Sequence, residues 1–491
     1  MVCYHNSPVP MNVLKVVLDG LLLHQTVQFL RYLGMAAITA CGRRLSIHPV
    51  LRSLVIDEFG WMVERPYYLT LAMRAISTVF PAAVAERPRD RRSRMLCRHV
   101  HSVLMLVLQL PPSASCSLQA ISLASLFLNH LLAMSLYTQA ADLVYKLRIW
   151  QNRSAAGHML SIALAEGEAN VTARQGDLLT AQRLLRSLLR VHIQDLQNSV
   201  DDKDRIYNTI ATVQGSLSHL RVAAKMHSEV LSSRETRFGA SHPDTLLSMN
   251  NLGVTYLKLG RGFRTQAHEL ILQAHNAVLH TCSLNNQLVL AVRSNYGISL
   301  QMQGYLPEAE VLLEDVLDRR RVVLGPMHHE TLKSEANLAI VINKRGRHSN
   351  AEMMLRRTLH MFERSFGAIH PDAIRIQSNI ADTLHDQGRY SQAEAILAKT
   401  LLALRTQYEP GHRETLRALE HRAILLHHMR KLKDACDVAM ELHSAQMLYL
   451  GSDDEATRRI KRYLKDLNVE IEVMGQRRLR RVGRVGVGVS V

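Results

Sequence analysis

The sequence is short of almost everything that marks a β-rich, disulfide-built or catalytic chain. Aromatic residues make up 5% of its 491 positions, with only 2 Trp, and 24 Gly and 13 Pro are too few for the many turns of a sandwich or barrel. Cys3, Cys41, Cys97, Cys116, Cys282 and Cys436 lie far apart with no C-x-x-C pair, so neither a disulfide framework nor a structural zinc site is indicated. No G-x-x-x-x-G-K-[ST], G-x-S-x-G or H-E-x-x-H string occurs, so no nucleotide loop, nucleophile elbow or zinc-protease helix is expected. No uninterrupted apolar run is long enough to cross a membrane. The run from Leu118 to Leu136 is broken by Gln119, Ser122, Ser125, Asn129 and His130 and reads as a buried helix. Lys15 and Asp19 interrupt the first apolar stretch, so no signal peptide is expected, and the location expected is cytoplasmic, with an organellar matrix as the alternative.

What is abundant is Ala, Leu and Arg, all strong helix formers. Hydrophobic residues reach 47% and charged residues 21%, the balance of a folded chain. The net charge of +17 is uneven. Residues 1–115 hold 13 basic against 6 acidic side chains, residues 476–491 hold 5 against none, and the 360 between hold 42 against 37. A repeat array that follows phosphates would carry its excess in the middle, so electrostatic partners belong to the ends.

The chain repeats itself. Asn251-Leu252-Gly253 recurs as Asn295-Tyr296-Gly297, Asn337-Leu338-Ala339 and Asn379-Ile380-Ala381, at separations of 44, 42 and 42. Nine residues after each Asn stands Gly260, Gly304, Gly346 or Gly388, and five further on Ala309, Ala351 or Ala393. Ala267 is displaced by the two extra residues Gly262-Phe263, which accounts for the 44. Between units come Gly239-Ala240-Ser241-His242-Pro243-Asp244, Gly325-Pro326-Met327-His328-His329-Glu330, Gly367-Ala368-Ile369-His370-Pro371-Asp372 and Gly411-His412-Arg413-Glu414. Each reads as a turn followed by a helix start, with Gly in a left-handed position and Pro in the next first turn. Ser349-x-x-Glu352 and Ser391-x-x-Glu394 read as capping boxes opening a second helix in each unit. Fainter copies, with Arg430 and Ala435 downstream and Gly176, Ala181, Asn208, Ala223 and Tyr137–Ala140 upstream, give about eight units from Ser117 to Leu467. A lone helix pair cannot bury its apolar face, so the units must stack into a superhelix with a concave face.

These residues resemble the tetratricopeptide repeat, in the 42-residue form of the kinesin light chain family. The strings at His242–Leu246 and Asn250–Gly253 carry the likeness, which spans about two thirds of the chain. It implies an all-α, right-handed superhelix of antiparallel helix pairs that binds peptide segments of other proteins. Residues 1–115 depart from it. They show no heptad pattern of the kind by which kinesin light chains hold the heavy chain, and Pro49, Pro66, Pro81 and Pro88 interrupt them.

Residues four apart share a helix face, so Leu247, Asn250, Asn251, Val254 and Lys258 are placed on the concave side. Their counterparts are Asn295 and Ile298, then Lys333, Asn337, Ile340 and Lys344, then Arg375 and Asn379, and lastly Arg417. In the family such asparagines hydrogen-bond an extended backbone. The alternative is that they bond to the neighbouring unit and set the superhelical pitch. Basic side chains among Val254, Ile298 and Ile340 point to an acidic, partly apolar peptide.

The expected organisation is a helical region at 1–85, an Arg/Pro/Ser-rich linker with one apolar helix at 86–116, degenerate repeats at 117–238, well-formed repeats at 239–409, a degenerate repeat with capping helix at 410–470, and a basic flexible tail at 471–491. The expected function is a non-catalytic scaffold or adaptor without metal or cofactor. The alternative is an RNA-associated or organellar repeat protein using Arg87–Arg98 and Arg477–Arg484, which would equally suit an anionic surface. The histidines of the inter-unit turns and His427-His428 read as architectural.

Overall fold

The computed structural model describes residues 114–151, 158–191 and 200–485 (453 apart; from 475 the backbone alone), three short strands, and scattered helical positions between 73 and 109. Sixteen helices form eight antiparallel pairs: α1 (Ala114–Ala133) with α2 (Tyr137–Gln151), α3 (His158–Gln175) with α4 (Leu178–Val191), α5 (Val200–Ser216) with α6 (Leu220–Phe238), α7 (Pro243–Leu259) with α8 (Arg264–Thr281), α9 (Gln287–Gln303) with α10 (Leu306–Val323), α11 (His329–Lys344) with α12 (His348–Phe366), α13 (Pro371–Asp386) with α14 (Tyr390–Gln407), and α15 (Arg413–His428) with α16 (Leu432–Tyr449). A last helix, α17 (Glu455–Val485), closes the array.

The turn inside each pair passes through one left-handed residue: Ser135, Gly176, Ser218, Gly260, Gly304, Gly346, Gly388 and Arg430, with φ between 59° and 108°. Five of the eight are glycine, which alone occupies that region without a Cβ clash. Ser135, Ser218 and Arg430 mark the units in which the repeat was faint, and there the geometry persists although the residue has drifted. Five residues on, or seven after Gly260, Ala140, Ala181, Ala223, Ala267, Ala309, Ala351, Ala393 and Ala435 are all fully buried. Opposite them the first helices are equally lean: a Cβ on Gly253 would stand 2.6 Å from Ile271, and one on Gly297 2.8 Å from Leu313. Small residues on both faces bring the two axes together, and Leu, Ile and Val fill the space around them.

Two local expectations are corrected. The second helices do not start with capping boxes. Their caps are Tyr305, Arg347 and Arg389, none with a side-chain cap bond, while Glu352 pairs with Arg356 and Arg389, and Glu394 with Arg422. The left-handed residue just upstream already aims the chain into the helix, so inter-unit ion pairs can take the glutamates. The basic tail expected to be mobile from 471 continues as helix to Val485. Ile460, Tyr463, Leu464, Leu467 and Ile471 anchor its first part on the last core.

In the N-terminal region, expected to be helical, β1 (Val9–Pro10) and β2 (Ala36–Ile38) flank β3 (Arg44–Ile47) in an antiparallel sheet, with Val9 and Ile38 both opposite Leu45. Pro10, which ends β1, does not suit a helix interior. The apolar helix expected before the array is present in part, since Val100, Val103, Leu104 and Val107 are helical and buried against α1. The interrupted apolar run lies mostly on α1 and is buried, and among the described residues no helix is long and apolar enough to cross a membrane. Arg87–Arg94 lie outside the described residues.

Candidate functional site: the inner face and its seam

The first helix of each pair lines the inside of the superhelix, and in four pairs a histidine caps its N-terminus. His242, His328, His370 and His412 each accept, through Nδ1, the backbone N–H two residues on, at 3.1–3.3 Å. Asn286 does the same for Leu288 at 2.8 Å. This is an N-cap made by an imidazole in place of a hydroxyl or carboxylate.

Three of these histidines also reach across the superhelix. Nε2 of His328 contacts the carbonyl of Ala133 at 2.6 Å and Ser135 Oγ at 3.2 Å. His370 donates to the carbonyl of Arg174 at 3.1 Å, and His412 to that of Ser216 at 2.9 Å. The backbone N–H of Arg413 donates to Ser218 Oγ at 2.9 Å, and a Cβ on Gly176 would stand 2.6 Å from Pro371. Tyr137 packs on Phe366 at 5.6 Å between ring centres. The histidine contacts join the end of one first helix to the start of the first helix five units on, and Tyr137 on Phe366 joins second helices of the same two turns, so successive turns of the superhelix touch along a seam. The concave groove is thereby closed into a lumen.

A chain so wound places basic side chains from distant units together. Lys258, at the end of α7, feels the fields of Arg413, Lys333 and Arg375. Enclosure, aided by those charges and opposed by Asp372, pulls its ammonium down to about 8. Lys258 keeps part of its surface and Arg413 more than a third. Burial alone would raise the pKa of Asp372. Arg375 at 2.7 Å, His329 at 2.8 Å and the charge of Lys333 instead hold it well below the usual carboxylate range. Glu330 is likewise held low, against burial, by Lys333, His329 and Arg320. His329, Asp372 and His370 lie within 4.8 Å of one another, but Nδ1 of His370 is the cap acceptor and Nε2 the seam donor, so that ring has no lone pair left for a metal.

The expected groove residues divide. Val254, Ile298, Ile340, Lys258, Lys333, Arg375 and Arg417 are half-buried and Lys344 is exposed. The asparagines do not present a free ladder. Asn250 is buried and its Oδ1 accepts from Asn295 at 2.9 Å, while Asn251 donates to Asn208 at 3.0 Å. Asn337 and Asn379 are also buried, and Asn379 accepts from Arg417 at 3.2 Å. Side chains from successive units meet, which is the pitch-setting alternative. The histidine seam escaped the sequence reading: the 42-residue recurrence marks the caps, but nothing in spacing marks an acceptor 195 or 196 residues away. A hollow of about 790 Å³ between α8, α9 and α10 lies apart from this face, and its rim is self-paired, Arg293 and Arg319 both meeting Asp315.

Stacked helix pairs around a central lumen define an α-solenoid. Residues 288–364 and 372–442 match the tetratricopeptide repeat family model, so the repeats there are tetratricopeptide repeats. Similar solved structures include the kinesin light chain TPR-like repeats of Podosopora anserina, 21% identical over 42% of this chain and 97% of that one, TM-score 0.34. Another is BtubC (BKLC) of P. vanneervenii, 19% identical over 46% of this chain and 89% of that one, TM-score 0.34. A third is a Rap protein complexed with competence and sporulation factor, 11% identical over 77% of this chain and 99% of that one, TM-score 0.48. No curated protein matches the sequence.

Proposed function

We propose that this protein is a non-catalytic scaffold or adaptor that holds peptide segments of partner proteins along the inner face of its superhelix. The observation that carries the reading is the alternation, on that face, of half-buried apolar side chains (Val254, Ile298, Ile340) with basic ones (Lys258, Lys333, Lys344, Arg375, Arg417). Such a surface favours a segment with acidic and apolar residues in turn. The asparagines act as spacers that hold the first helices in register, and the side chains between them contact the ligand. Selection of a random 12-residue peptide library on the full chain tests this. Acidic and apolar positions should be enriched, and Lys333→Glu with Lys344→Glu should abolish the enrichment. A selection that yields no consensus, or one indifferent to those two changes, overturns the reading.

A further inference from the structure

The C-terminal ends of successive first helices meet in a repeating rung. Asn343 on α11 donates to Asp386 on α13 at 2.6 Å, and His427 on α15 meets Glu470 on α17 at 2.9 Å. Both rungs span 43 residues, and in both a donor faces a carboxylate. The rung between them, which also spans 43, departs from that rule. His385 on α13 faces His428 on α15, with Nε2 of the first and Nδ1 of the second 3.0 Å apart and the ring planes 9° from parallel. Two neutral imidazoles share one hydrogen bond there, which as a fastening between units is weaker than a bond to a carboxylate.

The surroundings prepare both rings as ligands. Nδ1 of His385 lies 3.5 Å from Asp386 Oδ1, and Asn343 holds the other oxygen of that carboxylate. The carboxylate favours the proton on Nδ1, so the Nε2 lone pair is turned towards His428. Tyr390 braces both rings, at 5.5 and 5.2 Å between centres, while His428 is exposed, so water reaches the pair. Burial, with His385 and His427 beside it, lowers the pKa of His428 and keeps the ring neutral at pH 7. His427 is architectural: its Nε2 engages Glu470, and its Nδ1 meets the Tyr463 hydroxyl at 3.2 Å.

We propose that His385 and His428 form a two-imidazole site for a late first-row transition-metal ion, Cu²⁺, Ni²⁺ or Zn²⁺, with water in the remaining positions. Two nitrogens on one such ion, each about 2.0–2.1 Å from it, stand about 2.8 Å apart in square-planar and about 3.4 Å apart in tetrahedral geometry. The observed 3.0 Å falls between these. The rings turn by roughly 45° so that their lone pairs converge on the ion instead of on each other, given those bond lengths. The proton on Nδ1 of His428 moves to its Nε2, and the ring stays neutral. The ion clips the eighth helix pair to the seventh. None of these residues belongs to the peptide reading, so the two stand or fall separately.

Calorimetric titration of the untagged full chain, stripped of metal by a chelator, tests the site with nickel chloride as probe. The wild type should bind one Ni²⁺ saturably, and magnesium chloride should give no saturable heat. His385→Gln and His428→Gln should each weaken Ni²⁺ binding at least tenfold, whereas His360→Gln, at another exposed histidine, should leave it unchanged. Copper(II) should bind more tightly than nickel, and its electron paramagnetic resonance spectrum should show coupling to two imidazole nitrogens. No saturable Ni²⁺ binding by the wild type, or unchanged affinity in His428→Gln, overturns the proposal. Should either variant lose its helical circular dichroism, carbethoxylation of the wild type by diethyl pyrocarbonate, mapped by mass spectrometry, decides. Ni²⁺ should protect His385 and His428 but not His360, and equal modification with and without Ni²⁺ refutes the site.

Discussion

His370 does two separable things, and one substitution can remove one while leaving the other. Its Nδ1 caps α13 through the N–H of Asp372, and its Nε2 donates to the carbonyl of Arg174 across the seam. Losing an N-cap costs about 1 kcal/mol. Leaving this part-buried carbonyl without its donor costs at most about 1–3 kcal/mol. His370→Ala removes both, for roughly 2–4 kcal/mol. His370→Asn keeps the cap, as Asn286 does naturally at the fourth inter-unit turn, but is too short to reach Arg174, so it should cost only the seam part, about 1–3 kcal/mol. Urea unfolding measures the cost and small-angle scattering the shape. His370→Asn should raise the radius of gyration as much as His370→Ala does, at a smaller loss of stability. If both variants lose the same stability and neither changes the radius of gyration, the seam is not what closes the superhelix.

Other substitutions test the fold and its charges. Arg430→Gly should raise the unfolding free energy by about 1 kcal/mol, because φ of +60° strains an L-residue, and the ion pair it loses, to Glu470 at an exposed position, is worth little; a lower melting temperature would refute this. Ala351→Leu, at a fully buried contact between paired helices, should cost about 1–3 kcal/mol by overpacking, read from the denaturant midpoint. Acid should destabilise the fold before its carboxylates titrate. Burial pulls His130 and His227 down to about 4 and lowers His370 and His412, so the unfolded chain takes up more protons than the folded one between pH 6.5 and about 4. Stability should therefore fall as pH drops through that window, and His227→Leu should flatten the fall; an unchanged urea midpoint from pH 7 to pH 5 would contradict it. In the alkaline range the depressed pKa of Lys258 acts with the same sign. The folded state gains from about pH 8 towards 10.5, and Lys258→Gln should remove that gain.

The repeat architecture was legible because its causes are local. A left-handed turn, an alanine shortly after it and a histidine at the next helix start each leave a residue at a fixed spacing, and the central helix pairs follow from them. Arg430 shows the limit of such reading in a favourable case: the glycine is gone and the backbone geometry stays, held by the packing of Ala435 and Leu432. The inner face was legible as a direction along the helix but not residue by residue. Asn250 lies one position from Asn251, and a difference of about 100° around the axis turns the first to α9 and the second to α5. The capping boxes were misread because Ser349 and Glu352 have the right spacing, whereas Glu352 meets Arg389 from the next unit. The seam was not legible at all. It depends on how far each unit rotates against the next, a small angle summed over five units, and no pair of residues encodes it.

The central claim is that ligands occupy the inner face, and photocrosslinking tests it most directly. A photoreactive amino acid replaces Ile340, half-buried on the first helix of its unit, or Met353, exposed on the second helix of the same unit. Each full-length variant is irradiated with the peptides selected on the wild type. The account predicts crosslinks from position 340 that excess unlabelled peptide suppresses, and none from position 353. Crosslinks from position 353 alone would place the ligand on the outer surface and contradict the account.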